Sequence, residues 1–150
     1  MFVLGDRIMC KVCEVGKIVV NKCLEKGYPI NTQKLQKLLV LIQGECLVEN
    51  EKPLFEESVE IWKCGVAIRE VNDGFQRYSV AFDSPLTEYV SLLEQENKII
   101  EHIIDKYGRY DVATINQDVR LVNLIDYSKQ KGIKILDIET IREEFLKYAI

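Results

Sequence analysis

Residues 30–55 read INTQKLQKLLVLIQGECLVENEKPLF, and this stretch decides the fold. Leu35, Leu38, Leu39, Ile42 and Cys46 recur at helical spacing and form one stripe. Val40, Leu41, Leu47 and Val48 fall outside that stripe, around the back. Asn31 is a good N-cap, so the pattern predicts a helix over about 32–48 that is apolar on most of its circumference. Such a helix is normally a buried one. The expectation is therefore a mainly α protein, a single compact helical domain over residues 1–150 with this helix at its centre. Gln36 and Gln43 lie seven residues apart on a narrow polar line. Inside a core their amides need partners, because an unsatisfied buried polar group costs about 1–3 kcal/mol. Their reading is structural.

Working outward, an earlier helix fits DRIMCKVCEVGKIVVNKCLEKG, with Asp6 as N-cap and Gly27 beyond its end. Ile8, Val12, Val15, Val19 and Cys23 mark its apolar face. After the central helix the periodicity is mixed. SVEIW alternates like a strand, and Asp73-Gly74 is a turn signal between short apolar runs, so the pattern allows a small β-hairpin near 58–82. SPLTEYVSLLEQENKIIEHIIDKYG predicts a long helix. Ser84 would cap it, Pro85 would open it, Gly108 would end it, and Leu86, Val90, Leu93, Ile100, Ile103 and Ile104 would form its stripe. Two further helices are expected, one from about Thr114 to Gln130 and one behind Asp137.

The net charge of −4 gives no electrostatic footprint for nucleic acid or an anionic membrane. Lys34, Lys37, Lys63, Arg69 and Arg77 do form a loose basic scatter, interleaved with Phe75 and Tyr78, which keeps a nucleic-acid-binding regulator or autorepressor as the alternative reading. Five cysteines without framework spacing, and no signal peptide or bilayer-length apolar run, predict a cytoplasmic chain with reduced thiols. Cys10 and Cys13 have CxxC spacing but lack a second ligand pair, and His102 is the only histidine, so no metal and no cofactor are expected. No phosphate-binding glycine loop, nucleophile elbow or zinc-protease motif occurs, which argues against an enzyme.

The middle of the chain resembles the Panacea antitoxin domain, the phage-associated GepA/SocA-like family. The family pattern L-x-K-L-L is met by Leu35, Lys37, Leu38 and Leu39, its P-L-f by Pro53, Leu54 and Phe55, and its W-x-x-G by Trp62 and Gly65. The resemblance is strongest over 12–72. Val66 stands where the family has proline, Arg69 corresponds to a second proline, and the late region after Tyr107-Gly108 lacks the family's His and Trp. The chain thus resembles a diverged member of that family.

The resemblance implies a helical module that binds a protein partner. That partner would be a toxin, blocked directly or presented to a Clp-type protease, or a host defence protein targeted by a phage-encoded inhibitor. Trp and Arg are the commonest interface anchors, so Trp62, Lys63 and Arg69, flanking Gly65, are the expected partner-binding residues. If helix 32–48 is the core, Leu39→Ala should cost roughly 2–5 kcal/mol in denaturant unfolding. Lys52→Ala, in the following turn, should change stability by less than about 0.5 kcal/mol. Equal unfolding midpoints for the two variants would contradict the assignment.

Overall fold

In the computed structural model, which describes residues 9–149, the central stretch forms a helix, α2 (Thr32–Glu49). Asn31 caps it by accepting the Lys34 backbone N–H at 2.9 Å. Only Gln33, Glu45, Val48 and Glu49 of this helix escape burial. Around it lie α1 (Val12–Glu25), α3 (Arg69–Gly74), α4 (Glu94–Tyr107), α5 (Val112–Ile115) and α7 (Ile138–Leu146), each in contact with α2. The helix α6 (Val119–Lys131) packs mainly against α7 and β2 (Gly65–Ala67) and reaches α2 through Arg120 and Glu45. Gly44 is where α7 comes closest: a Cβ there would lie 2.3 Å from the Phe145 ring, so only glycine admits that side chain. No described helix is long and apolar enough to cross a membrane.

The strands β1 (Val59–Trp62), β2 and β3 (Ile135–Leu136) form a small antiparallel sheet in the order β2-β1-β3. The β1–β2 hairpin turns at Lys63-Cys64, with Trp62 opposite Gly65, whose φ of +108° suits glycine. It lies inside the expected range, yet Asp73-Gly74 is not its turn: those residues end α3. Ile68 leads straight from β2 into that helix, and its N–H is taken by Gln36, which leaves the Asp73-Gly74 signal to stop a helix instead of joining two strands.

The polar line of α2 ties these parts together. Gln43 donates to the Phe55 carbonyl at 2.7 Å and accepts the Leu54 N–H at 2.8 Å. Lys37, fully buried, donates to the carbonyls of Cys64 (3.0 Å) and Val66 (2.7 Å). Gln36 accepts the Ile68 N–H at 2.8 Å. Lys37 and Gln36 thus cover the outward edge of β2, where backbone groups would otherwise be buried without partners. Lys34 does the same at the end of α4, donating to the carbonyls of Pro29 and Gly108. Burial holds both ammonium groups below the ordinary lysine pKa.

Three expected boundaries are corrected. The N-cap proposed at Asp6 and the contact at Ile8 lie outside the described residues, and α1 begins at Val12, whose N–H donates to Glu57 at 3.2 Å. Its end is as expected, with Gly27 at φ +75° and the Tyr28 N–H bonded to the Cys23 carbonyl. The long helix expected from Ser84 begins only at Glu94. Residues 79–93 instead run across α1 without regular structure from Ser84 to Leu93, because their backbone has other partners: Asn21 bonds both the N–H and the carbonyl of Leu86, and the Phe82 N–H donates to Ile30. The helix expected over 114–130 is split, since Asp118 ends one segment and caps the next by accepting the Arg120 N–H at 2.9 Å. Asp137 caps α7 as expected, accepting the Thr140 N–H at 2.8 Å.

Asp118 belongs to a buried network. Arg120 donates to Asp118 (3.1 Å), Glu45 (2.6 Å) and the Tyr107 hydroxyl (2.7 Å), and that hydroxyl donates to Asp118 at 2.6 Å. Burial pushes Tyr107 up to about 12. Burial would also raise Asp118, but the hydrogen bonds from Arg120 and Tyr107 prevail and hold its carboxyl below the usual range. A carboxyl with a depressed folded pKa stabilises fully above its unfolded value near 4 and loses that contribution as pH falls through the folded value. Asp118→Asn should therefore cost about 1–3 kcal/mol at pH 7 in urea unfolding. The deficit should shrink below about pH 4; a pH-independent deficit would contradict this account. Lys37→Met orphans two carbonyls and should cost about 1–3 kcal/mol at pH 7 by the same measurement.

Candidate partner-binding surface

Period-2 alternation along β1 puts Val59 and Ile61 on one face of the sheet and Glu60 and Trp62 on the other. Val59, Val66 and Leu136 face the core. On the opposite face Glu60 is paired with Ile135, which is 60% exposed. Trp62 is half-buried, so it is neither a core residue nor a free one. Its indole N–H donates to Glu60 at 3.0 Å. Arg69, at the start of α3, donates to both oxygens of the same carboxylate (2.9 and 3.3 Å), and its guanidinium lies 5.2 Å from the centre of the Trp62 ring. The Trp62 hydrogen bond and the Arg69 charge keep the Glu60 carboxyl below the usual range.

The structure therefore brings Trp62 and Arg69 together, with Lys63 exposed in the adjoining turn. The residue that sequence reasoning missed is Glu60, which holds both. The signal was present: Glu60 and Trp62 alternate in SVEIW and so share a strand face. Lys37 is the second omission, since from inside the core it fixes the turn on which Lys63 and Cys64 sit. Among the described residues no metal-binding group of His, Cys, Asp and Glu converges, and the five cysteines are free thiols. The CxxC pair is split in role: Cys10 is buried and bridges to Phe55, while the Cys13 thiol donates to the Glu70 carbonyl at 3.3 Å. His102 is exposed on α4.

The basic scatter does not form a patch. Lys34 and Lys37 are buried on backbone carbonyls and Arg69 is paired with Glu60. Only Lys63 and Arg77 are exposed and outside an ion pair, with Arg77 lying over Tyr78.

No curated protein and no solved structure matches the chain. The family model for the SocA-like antitoxin, Panacea domain, matches residues 35–119. That span begins only at the L-x-K-L-L motif, so it leaves out residues 12–34 of the expected 12–72, and it runs past 72, through α4 and α5 to the start of α6. It contains the Lys37 and Gln43 clamps and the Glu60–Trp62–Arg69 cluster. Since the match covers more than half of the chain, this protein belongs to the SocA-like Panacea antitoxin family.

Proposed function

We propose that this protein acts as an antitoxin that binds a toxin protein directly, and that Trp62, Lys63 and Arg69 contribute to the contact. The observation that carries the reading is the pre-set pair of Arg69 over Trp62. Interface anchors are mostly Trp, Tyr and Arg, and a side chain already held in place loses less freedom on binding. Family membership supports a toxin as the partner. Delivery to a Clp-type protease, or inhibition of a host defence protein by a phage-borne copy, would use the same surface with a different outcome for the bound protein. The chain as a whole works as one binding unit in the cytoplasm and carries out no catalysis of its own. A nucleic-acid regulator is the weaker reading, because Lys34 and Lys37 are buried in the fold and Arg69 is paired with Glu60.

Trp62→Ala and Arg69→Ala, measured by co-purification with the cognate toxin, should each weaken binding about tenfold or more if the pair sits at the centre of the interface. Arg69→Ala should leave the melting temperature within about 2 °C, since an exposed ion pair contributes little to stability. Arg69→Glu is a harsher variant because it sets a second carboxylate against Glu60. Toxin binding that is undiminished in both alanine variants would remove this face from the interface.

A further inference from the structure

The sheet has two edges, and the chain treats them differently. At β2 the outward backbone groups are taken by Lys37 and Gln36 from α2. At β3, the other edge, no strand or side chain does this among the described residues. Lys134 accepts the Ile61 N–H at 2.8 Å, so its backbone faces β1. Backbone direction alternates along an antiparallel strand, which turns the N–H and carbonyl of Ile135 away from the sheet. Among the described residues neither group has a hydrogen-bond partner. An unpaired edge of this kind is a template for a further strand. The side chain of Ile135 is exposed too, as are those of Ile133 and Ile138 beside it.

The charges that flank this edge are ordered. Lys131 and Lys134 precede Ile135, and Asp137 and Glu139 follow it. All four are exposed, and none is in an ion pair among the described residues. The order is self-complementary. Two copies running antiparallel, with their Ile135 residues opposite each other, satisfy the free N–H and carbonyl of both. The same register carries the basic end of each copy to the acidic end of the other, Lys131 towards Glu139 and Lys134 towards Asp137. Opposite charges across a strand pair are stabilising and like charges are not. A parallel pairing would set lysine against lysine, so the charge order selects the antiparallel one.

We propose that the free edge of β3 is a self-association site, at which a second copy of this chain adds antiparallel and joins the two three-stranded sheets into one. The contact is isologous, with a two-fold axis between the two Ile135 residues. A two-residue strand supplies few backbone bonds, so the charged flanks and the exposed isoleucines set the affinity, and association follows concentration. The axis stands perpendicular to the sheet, and both Trp62–Arg69 pairs therefore emerge on the same face. Addition within the plane of the sheet leaves that face uncovered. The dimer goes beyond the toxin contact and does not depend on it.

The test is analytical ultracentrifugation of the full-length chain over a wide range of concentration, with a reductant present so that the free thiols form no cross-link. The chain should sediment as a monomer when dilute and as a dimer when concentrated. Ile135→Pro removes an N–H that the monomer leaves unpaired, so it should weaken the dimer at least about tenfold. Lys131→Glu and Glu139→Lys should each weaken self-association about tenfold or more, because each sets like charges across the axis. An equal mixture of those two variants should form a heterodimer about as tight as the unsubstituted dimer, since every pairing across its axis is again of opposite sign. That recovery keeps the test informative even where one variant is less stable alone. A chain that stays monomeric at every concentration, a dimer indifferent to Ile135→Pro, or a mixture no tighter than its components would overturn the proposal. No toxin enters the measurement, so its failure leaves the toxin-binding proposal standing, and failure of the Trp62 variants leaves the dimer standing.

Discussion

Everything packed on α2 has to reckon with the polar line that runs down an otherwise apolar helix. A helix surrounded on nearly every side removes water from whatever it touches. Several of its neighbours touch it with backbone: the 54–55 connection, the outward edge of β2 and the end of α4. Gln43, Lys37, Gln36 and Lys34 supply the missing partners from within α2 itself. An exposed lysine would do nothing of the kind. Here the long stem lies in the core and the ammonium group replaces the water that the carbonyls lost. The quoted motif residues of this chain meet in the same way: Leu35–Leu39 carries the lysine, Gln43 one turn further on reads the backbone of Leu54 and Phe55, and Lys37 reads the carbonyls of Cys64 and Val66 just after Trp62. Two contacts from one helix join the three segments.

The candidate surface depends on that contact. Lys37 pins the hairpin turn, β1 runs back from it, and the pleat directs Glu60 and Trp62 away from the core. Gln36 then fixes Ile68, from which α3 starts, so Arg69 emerges beside Trp62 and not elsewhere. A proline at the Arg69 position could not make this pair.

Much of the fold was legible because the strongest signals were local. The apolar circumference of α2, its cap at Asn31, the stop at Gly27 and the cap at Asp137 depend on residues within a few positions of each other. The misreadings share the opposite property. The segment at 84–93 has a helix pattern of its own, and a side chain 65 residues earlier in sequence overrides it. Asp118 has the local chemistry of a cap, but its role in splitting a predicted helix follows from Arg120, Tyr107 and Glu45 meeting from separate elements. The basic scatter failed for the same reason: a lysine's destination is set by which carbonyls reach it, and a linear sequence does not display those. Of the site, Trp62 and Arg69 were legible as residue types, while their pairing through Glu60 became visible only once β1 and α3 were placed.

The notch at Gly44 has a consequence for the order in which the molecule is made. The helix that most needs covering is synthesised early, and the ring that fills its notch belongs to Phe145, about 100 residues later. At roughly 5–20 residues per second, that leaves a growing chain with an uncovered apolar helix for something like 5–20 seconds. During that interval α2 is a surface that other proteins meet before its own C-terminal helix does. Closure by α7 follows the making of α2 by that interval, and a chain cut short before α7 would keep its centre open.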